Sequence, residues 1–152
     1  MPMIQLPTEF KEFLKLLNWH NVKYLLINGW AVGHYGYVRA TGGIDIWVSS
    51  DLDNAINVVE TLNDFGLVGE LVNADLITTK GQIIRFGVPP LRIEILTEIS
   101  GVEFADCYPD KGIKVIEGIE IPLISLKHLI QNKIASGRPK DLADVDELKE
   151  LL

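Results

Sequence analysis

Two acidic residues lie inside apolar segments of this sequence, Asp45 in GIDIWV and Glu94 in RIEIL. Each has an isoleucine on both sides, a pattern typical of a β-strand that packs on a hydrophobic core. An ionised carboxylate buried there without a partner is costly, so it is normally hydrogen-bonded, paired with a cation or bound to a metal ion. Asp45 and Glu94 are therefore candidate site residues.

Carboxylates that meet from neighbouring strands suit Mg²⁺, which prefers oxygen ligands and often shares them with substrate phosphates. Two such ions, roughly 3.5–4 Å apart, clamp the attacking and leaving oxygens of a phosphoryl transfer. A site of this kind commonly has three carboxylates, two of them on one strand at positions i and i + 2. Because side chains alternate along a strand, Gly43 shares a face with Asp45 and stands at that i position.

A structural role for these carboxylates is the alternative. Asp45 could pair with a guanidinium group from elsewhere in the chain. Alternatively, the strand faces that carry Asp45 and Glu94 could simply be exposed to solvent. The candidate partners are Arg39, Arg85 and Arg92. The repetition of the pattern on two separate strands favours a functional site over this alternative.

The segment LLINGWAVG, shortly before Asp45, predicts a strand that turns at Asn28-Gly29 directly into a helix. Such a turn presents backbone N–H groups and the positive end of the helix dipole to an anion. Many strand-to-helix turns contain Asn-Gly, so the signal is weak alone. Its position near Asp45 gives it value as a candidate phosphate site.

The spacing of apolar residues and of turn residues predicts the elements that position these groups. Helices are predicted near residues 8–19, 29–36, 50–66, 101–108, 125–137 and 138–152, and strands near 22–28, 43–50, 82–88, 91–97 and, as a pair, 113–124. The predicted N-caps are Thr8, Ser50 or Asp51, and Ser125, and the predicted helix ends are Gly66 and Gly137. The order indicates an α/β or α+β fold with one mixed β-sheet flanked by helices, in a single domain over residues 1–152.

The composition excludes several classes of protein. A formal net charge of −7 is unlike that of proteins that bind DNA generically through its phosphates. The single cysteine, Cys107, excludes an internal disulfide and a cysteine metal cluster. Apolar runs are far shorter than the roughly 20 residues that cross a bilayer, and the start, MPMIQLPTEF, lacks the pattern of a secretion signal. We expect a cytoplasmic protein with no membrane partner.

The stretch LLINGWAVGHYGYVRATGGIDIWV closely resembles the signature of the nucleotidyltransferase superfamily with the DNA polymerase beta-like fold. The resemblance is greatest to small bacterial members related to abortive-infection and toxin–antitoxin nucleotidyltransferases. The signature has Gly-Gly or Gly-Ser on a strand-to-helix turn, then Arg-x-Thr, then Asp-x-Asp on a strand, and a third acidic residue on a later strand. Arg39 and Thr41 match the Arg-x-Thr, Asp45 the second aspartate, and Glu94 the third acidic residue.

The C-terminal stretch KIASGRPKDLADVDEL also resembles the closing pattern of that family, through Lys133, Arg138, Lys140, Asp141 and Asp144. The sequence departs from the family at two positions. Asn28 stands where the family has its first glycine, and asparagine tolerates unusual backbone angles. Gly43 stands where the family has its first metal-binding aspartate, which removes a charged ligand from the site.

The resemblance implies transfer of a nucleoside monophosphate from a nucleoside triphosphate to a hydroxyl group on a protein, an RNA or a small molecule, with Mg²⁺ or Mn²⁺. Asp45 and Glu94 are then the remaining metal ligands, and Glu94 is also the candidate base for the acceptor hydroxyl. The implied nucleotide-binding residues are Asn28, Gly29, Trp30, Arg39, Thr41, Lys133 and Arg138. Because of Gly43, we expect this activity to be impaired.

Several alternatives remain open at this point. The chain could be a non-catalytic module that binds a nucleotide or a protein, as an antitoxin-like or regulatory partner does. Lys133 could be a solvated helix residue, and Arg138 could simply pair with Asp141 or Asp144. Trp30 and Trp47 could stack on a base, although core packing is favoured for Trp47. The alternation along the strand also predicts that Gly43→Asp creates or restores nucleotide binding that depends on a divalent metal ion.

Overall fold

A mixed β-sheet forms the centre of the fold. The computed structural model describes residues 6–36, 41–67, 69 and 72–152. In this part of the chain the strands are β1 (Tyr24–Ile27), β2 (Gly43–Val48), β3 (Ile83–Phe86), β4 (Arg92–Leu96), β5 (Gly112–Ile116) and β6 (Ile119–Leu123). They form one six-stranded sheet in the order β3-β4-β2-β1-β6-β5.

Helices pack around this sheet. The α-helices in the described residues are α1 (Thr8–Trp19), α2 (Asn28–His34), α3 (Leu52–Asp64), α4 (Ala74–Thr78), α5 (Phe104–Cys107), α6 (Leu126–Ser136) and α7 (Pro139–Lys149). The predicted α/β architecture with a mixed sheet flanked by helices is confirmed. The short helix α4 was not predicted from the sequence.

The predicted helix boundaries are largely confirmed. Asp51 caps α3 by accepting a hydrogen bond from the backbone N–H of Asn54, and Ser125 caps α6 through the N–H of His128. Gly137 ends α6 in the left-handed conformation, at φ 67°. The prediction of Thr8 as an N-cap is wrong, because Thr8 is already the first residue of α1 and Pro7 precedes it as the cap.

The alternation predicted for the two central strands is also confirmed. Ile44, Ile46, Ile93 and Ile95 are buried in the core, whereas Asp45 and Glu94 point to the other face and are only partly buried. In the described residues, no helix is long and apolar enough to cross a membrane.

Candidate functional site

The sheet register brings the two acidic residues together. Strands β2 and β4 run parallel, and Asp45 lies directly beside Glu94 in the ladder between them. Both side chains line a cavity of about 420 Å³, which we call the site cavity. The cavity is also lined by the turn after β1, the segment that leads into β2, and five basic side chains, which are Arg85, Arg92, Lys133, Arg138 and Lys140.

Asp45 is held by an amide rather than by a guanidinium group. Asn28 donates a 2.7 Å hydrogen bond from Nδ2 to Oδ2 of Asp45. Burial raises the pKa of Asp45, and this effect outweighs the Asn28 hydrogen bond and the charge of Lys133, which lower it. The charge of Glu94 raises the Asp45 pKa further. The alternative that Asp45 pairs with Arg85 or Arg92 is therefore wrong. The third candidate partner, Arg39, lies outside the described residues.

Asn28 has a backbone conformation that most side chains avoid. Its φ is 57°, in the left-handed region where asparagine is one of the few tolerated residues. The expected tolerance of asparagine for unusual backbone angles is met at this turn. The amide adds two contacts that glycine could not make, since Oδ1 also accepts a 3.1 Å hydrogen bond from Nζ of Lys133.

Lys133 is a buried cation. Only 2% of its side chain is exposed, so the alternative of a solvated helix residue is wrong. Its Nζ lies 3.3 Å from Oδ1 of Asp141 and 3.7 Å from Oδ2 of Asp144, both on α7. Burial alone would raise the pKa of Asp141, but hydrogen bonds from Arg138 and Ser136 and the charge of Lys133 lower it to about 2.

Arg138 has the pairing that the sequence left open as an alternative. Its Nε donates a 2.7 Å hydrogen bond to Oδ2 of Asp141. The Arg138 side chain is nevertheless 67% exposed and lines the site cavity, so the pairing leaves it accessible to a ligand.

Glu94 is the carboxylate that the arginines hold. Strands β3 and β4 form an antiparallel hairpin in which Arg85 lies opposite Glu94. Oε1 of Glu94 lies 3.0 Å from Nε of Arg85 and 3.5 Å from Nη1 of Arg92. The sequence identified these arginines only as partners of Asp45. The strand register, which assigns them to Glu94, is not readable from the sequence without the hairpin geometry.

The backbone of β4 leaves no room for a side chain at Gly43. A Cβ atom there would lie 2.7 Å from the carbonyl carbon of Arg92, 2.9 Å from its Cβ and closer still to its carbonyl oxygen. Real Cβ atoms do not approach other atoms so closely, so a residue with a side chain would force the strands apart. Gly43 is thus a position closed by its neighbour, and the expected restoration by Gly43→Asp meets a steric obstacle that the sequence did not reveal.

The remaining predicted site residues divide into two groups. Gly29 and Thr41 line the site cavity, and Thr41 Oγ1 donates to the carbonyl of Gly43 at 2.8 Å. Trp30 packs edge-to-face on Phe10, with ring centroids 6.2 Å apart, and its side chain is not part of the cavity lining. Trp47 is buried against Phe104, so the favoured core role of Trp47 is confirmed.

A centre with two divalent ions does not fit the residues of this site. Asp45 is already bonded to the Asn28 amide, and Glu94 to two guanidinium groups. The first carboxylate position of the family signature is Gly43, where a side chain has no space. Among the described residues, no group of three or more His, Cys, Asp or Glu side chains is arranged to hold a metal ion.

The fold is similar to that of several solved nucleotidyltransferases. One is the lincosamide antibiotic adenylyltransferase LnuA with bound lincomycin, with a TM-score of 0.58 and 18% identity over 97% of this chain and 98% of that chain. A second is a protein from Thermotoga maritima that is assigned to the nucleotidyltransferases, with a TM-score of 0.58 and 13% identity over 92% and 89% of the two chains. A third is ANT(2")-Ia in complex with adenylyl-2"-tobramycin, with a TM-score of 0.54 and 12% identity over 93% and 91%.

The chain has the nucleotidyltransferase fold. This confirms, at the level of the fold, the resemblance carried by the segment from Leu25 to Val48. No protein-family model matches the sequence, and no curated protein matches it. On this nucleotidyltransferase fold, the site cavity lies where β2 and β4 place Asp45 and Glu94 side by side.

Proposed function

We propose that this chain binds a nucleoside triphosphate in the site cavity, with its phosphates on the basic side chains, and that transfer of the nucleoside monophosphate is impaired. The observation that carries this proposal is the charge of the cavity. Five basic side chains line it beside two carboxylates, in a protein whose formal net charge is −7. A positive cavity in an acidic protein selects anions locally without making the whole surface adhesive to nucleic acid.

The accessible basic groups suit phosphate oxygens. The side chains of Arg85, Arg92 and Arg138 are 59%, 40% and 67% exposed, so their guanidinium groups can reach a ligand. Guanidinium groups bind phosphate through paired, charge-assisted hydrogen bonds. Lys133 is buried and serves the site indirectly, by holding Asn28 at the turn.

The solved structures of similar fold support a nucleotide as the ligand. One is an adenylyltransferase, and another contains adenylyl-2"-tobramycin. In this chain, the turn residues Asn28 and Gly29 and the segment at Thr41 would lie along the bound nucleotide, because they line the same cavity as the arginines. Trp30 could contribute only its backbone, since its ring packs against Phe10.

Impairment of transfer follows from the first carboxylate position. Metal-assisted phosphoryl transfer depends on aligning the attacking hydroxyl with the leaving phosphate, and small misalignments reduce rates strongly. Gly43 supplies no ligand, and Glu94, the candidate base, is engaged by two arginines. The hydroxyl acceptor on a protein, an RNA or a small molecule, the relation to abortive-infection or toxin–antitoxin systems, the cytoplasmic location and the single-domain organisation stay predictions from the sequence.

Isothermal titration calorimetry with adenosine, AMP, ADP and ATP tests the proposal, with GTP, CTP and UTP for base preference. We expect affinity to rise with each added phosphate, because the phosphates meet the basic side chains. Incubation with an α-labelled triphosphate and candidate acceptors should give no transfer above background. The absence of binding by every triphosphate would contradict nucleotide binding, and efficient transfer would contradict the impairment.

A further inference from the structure

We infer that the site cavity binds the phosphates of its ligand without a divalent metal ion, with arginine and lysine supplying the countercharge. The nucleotide identity of the ligand rests on the proposed function, whereas the metal-independent capture of a polyphosphate does not. Three features of the cavity support this. They are its excess of basic side chains, the protein partners that its carboxylates already have, and the lack of space for a further carboxylate at Gly43.

The charge of the cavity already favours a polyanion. The basic lining residues outnumber Asp45 and Glu94 by three. Asp141 and Asp144 on α7 pair with Lys133. When these two carboxylates are also counted, the basic side chains still outnumber the acidic ones. A divalent cation that entered here would approach several positive charges, and this repulsion opposes its binding.

Both carboxylates have protein partners where a metal ion would need their oxygens. Coordination through Oδ2 of Asp45 would compete with the 2.7 Å hydrogen bond that this oxygen accepts from Asn28. Coordination through Oε1 of Glu94 would compete with the guanidinium groups of Arg85 and Arg92. The energy of each lost hydrogen bond or ion pair is subtracted from the free energy of metal binding.

The basic groups approach the cavity from separate parts of the chain. Arg85 and Arg92 come from the β3–β4 hairpin, and Arg138 and Lys140 come from the start of α7. Lys140 forms no salt bridge with any described residue, and its charge acts on Asp45 across the cavity. A phosphate chain in the cavity can therefore contact cations from both elements.

Calorimetric titrations of ATP and of inorganic pyrophosphate, each in excess EDTA and in excess MgCl₂, test the inference. We expect both ligands to bind in EDTA at least as tightly as in MgCl₂, because Mg²⁺ neutralises phosphate charge that the basic residues would otherwise bind. Mn²⁺ alone should keep the electron paramagnetic resonance signal of the free ion in the presence of the protein.

A matched pair of variants locates the binding on the cavity. Lys140→Gln should weaken binding in EDTA about five- to tenfold, because it removes one charge-assisted contact. Lys149→Gln makes the same charge change at the other end of α7, outside the cavity lining, and should leave the affinity unchanged.

The outcomes separate this inference from the proposed function. Binding of ATP only in MgCl₂, or binding tightened more than about tenfold by Mg²⁺, overturns the inference and leaves nucleotide binding in place. Binding of pyrophosphate but not of ATP in EDTA supports the inference and overturns the proposal that the ligand is a nucleotide. The absence of binding by either ligand overturns both the inference and the proposed function. If Lys140→Gln and Lys149→Gln change the affinity equally, the placement of the binding site in the cavity is overturned.

Discussion

The carbonyl group of Arg92 occupies the space that a Cβ atom on Gly43 would need. The two residues are paired in the parallel ladder between β2 and β4, so the close approach is part of the sheet itself. Gly43 therefore has a structural role in this chain, although the family signature has an aspartate at this position. An aspartate cannot be added there without a change in the strand pairing that holds Asp45 beside Glu94.

We predict that Gly43→Asp and Gly43→Ala both lower the free energy of unfolding, by about 1–3 kcal/mol, because both add the Cβ atom that the β4 backbone excludes. Urea unfolding measures this difference. Gly42→Ala is the control, since a Cβ at Gly42 meets only Pro89 at 3.9 Å, an ordinary contact. If Gly43→Asp is as stable as the unsubstituted chain and gains Mg²⁺-dependent nucleotide binding, the restoration expected from the sequence is correct instead.

We predict that Asn28→Gly lowers the free energy of unfolding by about 1–3 kcal/mol, although glycine adopts positive φ more easily than asparagine. The loss comes from the bridge that Asn28 makes between Asp45 and Lys133. Asn21→Gly is the matched control, because Asn21 has a similar φ of 55°. Its replacement should be neutral or slightly stabilising. Equal effects of the two substitutions in thermal or urea unfolding would show that the bridge contributes nothing.

We predict that Lys133→Met destabilises the fold by about 3–5 kcal/mol, because it removes the buried ammonium group that pairs with the buried carboxylates of Asp141 and Asp144. Lys127→Met, at an exposed position of the same helix α6, should change stability by less than about 0.5 kcal/mol. Urea unfolding of both variants provides the comparison. A loss at Lys133 as small as that at Lys127 would contradict the ion-pair role.

We predict an acid-dependent loss of stability that depends on Asp141. Its pKa is about 2 in the folded chain and 3.8 for the unperturbed group. A lowered pKa stabilises the folded state above pH ~4, and this contribution, about 2 kcal/mol, disappears as the pH falls through ~2. Urea midpoints measured from pH ~5 downward should decline more steeply for the natural chain than for Asp141→Asn. Parallel declines would show that other groups dominate the acid response.

Local sequence signals predicted much of this fold. The capping residues Asp51 and Ser125 and the left-handed Gly137 are set by neighbouring backbone groups, so a short window of sequence contains the information. The same holds for the alternation around Asp45 and Glu94. The five-residue helix α4 was missed because one turn of apolar spacing does not form a recognisable period.

The site was predictable only in part, because its contacts join residues far apart in the sequence. Asp45 and Glu94 were found from their apolar neighbours, and the basic C-terminal segment from its resemblance to the family. The pairing of Arg85 with Glu94 depends on the hairpin register. The burial of Lys133 depends on how α6 and α7 pack, and the contact at Gly43 depends on backbone positions that no residue pattern records.

The network of Lys133 also has a consequence for how the C-terminal segment opens. Detaching α7 would separate the buried Lys133 ammonium from Asp141 and Asp144. It would also weaken the turn at Asn28, at the end of β1, which Lys133 contacts. The helix is therefore coupled to the central sheet and cannot fray alone. Its amide protons should exchange with solvent in the same cooperative unit as those of β1.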